Sequence, residues 1–207
     1  MSESALLKAS GAAAVAAGVL LALSFLLRPG EQDPVILARA PTTVAHSLGI
    51  VGLVLCQLGL IGIYARMRAE SGWLGFVGFL VAFSGSNFMT GVWFFSAYVE
   101  HVIGAEAPAL LAPDGPIESG IAQSMFAVSL VTFCLGHVLF GVSSAIARVF
   151  PVWAGALLTI GALLIFVGIA GEILIVRQIG AVLLGLALGR LGWQVWSEHG
   201  SEERRRA

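Results

Sequence analysis

Of the chain's 207 residues, 58% are hydrophobic and only 11% are charged, and the mean hydropathy is +0.95. A soluble domain carries roughly 25% charged residues, so a soluble core inside a charged shell is excluded, and a net charge of −1 excludes a polybasic nucleic-acid binder. The 26 glycines and five tryptophans among long apolar runs point to an all-α fold, a polytopic bundle in the lipid bilayer, where glycine is commoner than in soluble helices.

A crossing needs about 20 apolar residues for a hydrocarbon core of roughly 30 Å. Six segments meet that length, over about 6–27, 41–64, 73–99, 117–147, 151–170 and 172–196. The first ends at Arg28-Pro29-Gly30, a cation followed by two helix breakers. Its apolar run outlasts the ~7–15 residues of a signal sequence, so it is expected to be retained. Pro41 and Pro151 open the second and fifth segments at first-turn positions that suit proline. The fifth and sixth are separated only by Gly168 and Gly171 as turn residues.

Basic residues set the expected orientation. With the N-terminus inside, Lys8, Arg66, Arg68, Arg148, Arg190, Arg204, Arg205 and Arg206 share the inner face, against Arg28, Arg39 and Arg177 outside. The positive-inside rule therefore predicts six crossings of the plasma membrane with both termini cytoplasmic and a charged tail over 198–207. Trp73, Trp153, Trp193 and Trp196 then fall at the inner boundary. The loop over about 99–117 lies outside and is punctuated by prolines. Glu31, Asp33, Glu100, His101, Glu106, Asp114, Glu118 and Glu172 gather near the same face, which predicts an acidic outer mouth.

Ala65-Arg66-Met67 before Trp73-Leu74-Gly75 is echoed by Ala147-Arg148-Val149 before Trp153-Ala154-Gly155, a spacing that suggests two like-oriented hairpins. Small residues mark close helix contacts: Gly185, Gly189 and Gly192 on the sixth segment, Gly49, Gly52, Gly59 and Gly62 on the second, Ala9, Ala13 and Ala17 on the first. The Gly185/Gly189 stripe and the alanine stripe are also the expected faces for a homo-oligomer or a membrane partner.

Polar groups at membrane depth are costly and default to functional candidates. Gln57 and His137 fall at matching depth and are expected to bond across segments. Asn87 and Thr90, with Ser129 and Thr132, make a polar middle that reads either as internal glue or as a ligand pocket open to the outside. His46, Glu100, His101 and Glu172 belong to the mouth; whether they converge on a metal the spacing leaves open. Cys56 and Cys134 lie in apolar runs and indicate no disulfide framework. No cofactor is predicted: Lys8 is the sole lysine and is too terminal for a retinal Schiff base, and His46 and His137 lie in opposite halves, unsuited to a paired-histidine haem. No G-x-S-x-G nucleophile elbow occurs.

His46-Ser47-Leu48-Gly49, Tyr64-Ala65-Arg66, Trp73-Leu74-Gly75 and the stretch from Leu183-Leu184-Gly185 to Leu191-Gly192-Trp193 resemble small six-span bacterial membrane proteins of unassigned function. That resemblance implies a six-helix bundle and no activity. The alanine face on the first segment is similar to the docking face of vitamin-capturing S-components of energy-coupling transporters, which also have six spans. Three functions are consistent with these readings. They are a non-enzymatic protein binding or sensing a small ligand from outside, a membrane enzyme or metal protein using the outer His/Glu groups, and an accessory subunit of a larger complex.

Overall fold

The computed structural model describes residues 3–28, 40–112, 115–117 and 119–206, and no strand occurs among them. The helices are α1 (Glu3–Leu27), α2 (Ala40–Phe94), α3 (Glu100–Glu106), α4 (Ile121–Ala147), α5 (Val152–Ala170) and α6 (Leu174–Arg206). A π-helical turn, Phe95–Val99, joins α2 to α3, and a 3-10 turn, Pro108–Leu111, follows α3. Glu31, Asp33, Arg39, Asp114 and Glu118, named above from sequence, lie outside the described residues.

Among the described residues five helices are long and apolar enough to cross a membrane, not six, because the second and third expected segments form one helical run, Pro41–Glu106. That run is broken at Gly72, where φ is 55° and ψ is −152°, a region essentially confined to glycine. Its arms, 40–71 and 73–94, fold back on each other. Tyr64 stacks on Phe79 with centroids 4.7 Å apart, and further from the break Gly49 receives the Trp93 ring. A second sharp joint lies at Arg148, left-handed at φ 54°, ahead of Pro151.

The fourth segment starts later than its hydropathy suggests, at Ile121, because Gly120 at φ 72° sets the entry to α4. The expected irregular outer loop is largely helical, as the π turn, α3 and the 3-10 turn occupy its first half. At the α5–α6 joint Gly171 caps α5, but the turn itself is made by Glu172 at φ 55°, a conformation that costs a non-glycine residue roughly 1–2 kcal/mol.

The rods pack as a ring. α1 lies between α6 and the first arm of α2, α6 lies beside α5, α5 beside α4, and α4 beside the second arm of α2. Glycine permits these approaches. A Cβ on Gly59 would meet Cα of Ala14 at 2.7 Å, one on Gly192 would meet the Gly11 carbonyl at 2.6 Å, and one on Gly78 the Phe140 nitrogen at 2.8 Å. Gly185 faces Gly18 and is consumed inside the fold, whereas a Cβ on Gly189 meets nothing within 4 Å. Of the alanine stripe, Ala17 is buried, Ala13 is half-buried and only Ala9 is exposed.

The outside of the ring is as apolar as its core. Val19, Val51, Leu58, Leu80, Leu135 and Leu186 are all exposed, which suits a hydrocarbon surround and would be untenable in water. The two ends differ in charge and aromatic content. Arg66, Arg68, Arg148 and Arg190 share one end with Trp73, Trp153, Trp193 and Trp196, and contact of Gly11 with Trp196 places α1's start and α6's end there too. Arg66 Nε donates to Glu198 Oε2 at 2.8 Å across that end.

Candidate functional site: a cavity at the Arg28 end

At the opposite end the ring encloses a cavity of about 760 Å³, within the roughly 300–1,000 Å³ typical of ligand pockets. Its depth follows from its lining. Arg28 and Leu21 on α1, and Arg177 and Leu184 on α6, bracket seven residues each, about 10 Å at 1.5 Å per residue. The lower wall is apolar, with Leu53, Met89, Phe133 and Ile165. Polar groups are confined to the top: Arg28, Arg177, Glu172 and Gln123.

Several local features hold this top in place. The Arg28 guanidinium lies 5.8 Å from the centroid of Phe25 and 5.5 Å from that of Trp93, a cation held on two aromatic faces. Trp93 meets Phe25 edge-on at 5.3 Å, and it fits because Gly49 has no side chain where its ring lies. Ser24 Oγ donates to the Ala45 carbonyl at 2.7 Å, pinning α1 to α2 one turn below Arg28. Gln178 Nε2 reaches the Phe25 and Leu26 carbonyls at 3.5 and 3.4 Å, tying the end of α1 to α6. Gly168, expected as a turn residue, instead lets the backbone of Arg177 press against α5.

Electrostatically the top sets two guanidiniums, Arg28 and Arg177, beside the carboxylate of Glu172. Desolvation, and then the neighbouring Arg177, push the Arg28 guanidinium down to about 10, while Glu100 acts the other way. The group stays protonated at neutral pH, but its charge is under-solvated and repelled by a second guanidinium.

Of the residues singled out from sequence, Glu172 alone lines this cavity. Asn87 is exposed on the outer surface of α2 and donates to its own helix at Phe83, 3.3 Å away. Thr90, Ser129 and Thr132 do likewise, with hydroxyls 2.7–2.8 Å from the carbonyls of Ser86, Met125 and Val128. These groups bond to carbonyls four residues back on their own helices, and none of them lines this cavity. Gln57 is half-buried, and its expected partner His137 turns elsewhere: Nδ1 lies 2.8 Å from the Phe133 carbonyl and Nε2 3.7 Å from Cys56 Sγ.

The mouth histidines are likewise engaged within the fold. His46 Nδ1 lies 2.9 Å from the Thr42 carbonyl, and its ring stands edge-on to Trp93 at 6.0 Å. His101 Nδ1 lies 3.4 Å from Thr43 Oγ1. Among the described residues no three His, Cys, Asp or Glu side chains converge as a metal site, so His46, Glu100, His101 and Glu172 do not come together as ligands.

Arg28 and Arg177 escape the sequence reading because a cation beside an apolar run looks like a stop signal. One sign was available: with Arg39 they are the three basic residues that run against the positive-inside bias. Compared with family models, with curated proteins and with solved structures, the chain matches none.

Proposed function

We propose that this chain is a six-span plasma-membrane protein, with both termini cytoplasmic, that binds a small ligand from the extracytoplasmic side in the cavity beneath Arg28. The two arms of α2 each count as a crossing on this reading, since a 66-residue helix is about three bilayer cores long at 1.5 Å per residue. The basic, tryptophan-bearing end becomes the cytoplasmic boundary. The cavity carries the functional part. An apolar chamber capped by a few convergent polar groups is the usual form of a small-molecule site.

The reading assigns binding or sensing rather than catalysis, because the polar groups at the top, two guanidiniums, one carboxylate and an amide, are suited to holding a ligand and include no paired nucleophile and base. Glu172 supports it from a second direction: a left-handed non-glycine residue at the cavity rim is backbone strain of a kind that clusters at functional sites. The test is ligand capture by the purified protein in lipid nanodiscs, read by native mass spectrometry and by thermal shift. Co-purified or added ligand is expected to raise the melting temperature of the native chain and not of Ala181→Phe, which fills the chamber. Equal shifts in both proteins overturn the assignment to this cavity. Topology is read separately by thiol labelling of Glu106→Cys, expected to react from outside.

A further inference from the structure

Resting on that reading, we infer that the ligand is a single-chain amphiphile with an anionic head, taken sideways from the surrounding lipid leaflet through a gap between α4 and α5. Three observations carry this, and the first concerns how α5 meets its neighbours. Toward the Arg148 joint α4 and α5 touch closely: a Cβ on Gly141 would lie 2.7 Å from the Gly155 carbonyl, and Thr159 Oγ1 reaches the Val138 carbonyl at 3.5 Å. Toward the cavity end the same helices part. Gln123, Ala127 and Val131, one face of α4 at fourfold spacing, and Phe166 and Ala170 of α5 line the cavity and are exposed. Val131 is 47% and Phe166 36% exposed, and on this inference that exposure opens the chamber wall to the surrounding lipid.

The second observation is size. A water's share of liquid volume is about 30 Å³, so 760 Å³ holds on the order of 25 groups of that size. One acyl chain and its head fit. Because the chamber is only about 10 Å deep, the chain lies bent or runs out through the gap, where Val131 and Phe166 keep it in apolar contact. The third is charge. Arg28 and Arg177 share the top of the chamber with Glu172 and Gln123, above an apolar lower wall, and an anionic head between the two guanidiniums relieves their mutual repulsion; Arg forks suit carboxylate and phosphate alike.

Trp93, buried in the chamber wall, provides the readout, since the other four tryptophans lie at the far end. Stearate brominated at mid-chain is titrated at pH 8, where a carboxylate is ionised, into protein in phosphatidylcholine nanodiscs. The expected result is a saturable quenching component that Trp93→Phe abolishes. Palmitate and a single-chain lysophosphatidate compete, and dodecyltrimethylammonium does not. Arg28→Gln and Arg177→Gln weaken the component about ten- to a hundredfold, as the loss of one charge-assisted bond implies. Arg66→Gln at the far end leaves it unchanged, and Ala127→Phe slows its onset. Non-saturable quenching, equal competition by the cationic detergent, or full binding in both arginine variants overturns the inference. If the brominated stearate fails while a water-soluble ligand still stabilises the native chain and not Ala181→Phe, the cavity reading stands and the lipid assignment falls.

Discussion

α5 has two neighbours and meets them differently. Its seam with α6 is closed over residues 161–168, toward the cavity end. A Cβ on Gly161 would lie 2.6 Å from the Leu184 nitrogen, one on Gly180 2.6 Å from the Ile165 nitrogen, and Gly168 admits the backbone of Arg177. Its seam with α4 is closed only near the joint, by Gly141, Gly155 and Thr159, and then opens onto the chamber. Lipid supplies no hydrophobic reason for two helices to stay together, so they remain in contact only where small residues let backbones approach. Where α4 presents Gln123, Ala127 and Val131 rather than glycine, its residues line the cavity instead, the space that the proposed function gives to a ligand. One helix thus carries both a permanent joint and an opening, assigned by the placement of a few glycines.

Substitutions along these two seams separate the closed from the open. Gly161→Leu drives a branched side chain into the backbone of α6 and should cost about 3 kcal/mol or prevent assembly, read as loss of the folded fraction in a detergent unfolding titration. Gly141→Ala, whose Cβ would meet the Gly155 carbonyl at 2.7 Å and the Thr159 nitrogen at 2.9 Å as well as Thr159 Oγ1 at 2.5 Å, should cost about 2 kcal/mol, less than Gly161→Leu because a single methyl is added rather than a branched side chain. A result as severe as that for Gly161→Leu would mean that the joint between α4 and α5 is as rigid as the α6 seam.

His137→Leu tests the opposite side of α4, against α2. It removes a contact to a cysteine sulfur and one within the helix, so a loss of about 0.6–1.7 kcal/mol is expected, the range for polar contacts between membrane helices. Ala127→Leu at the open seam should change stability by about 0.5 kcal/mol or less, as surface substitutions do. A large loss there would mean that α4 and α5 close on each other in the membrane.

The helices themselves were legible, because apolar runs of bilayer length between charges and prolines leave little choice. Joining two runs into one was not, since the residues over 65–72 are good helix formers apart from Gly72, whose φ no local pattern reveals. Which polar groups face inward was also hidden. These helices are apolar all round, so there is no contrast between faces from which to read the inside, and Asn87 at mid-helix gives no sign that it points to the exterior. The hydroxyls misled for a related reason: Ser129 and Thr132 look like members of a network until their own carbonyls are seen to satisfy them. The arginines of the chamber were visible as residues, but their meaning depends on six rods meeting at one end.

Gly72 has a consequence for how α2 turns. A reversal confined to one residue, with Tyr64 stacked on Phe79 a few positions away, makes the two arms of α2 a tight hairpin. On the proposed topology the tip of that hairpin is Gly72, and a residue with a side chain there would strain the tip although the space around it is empty.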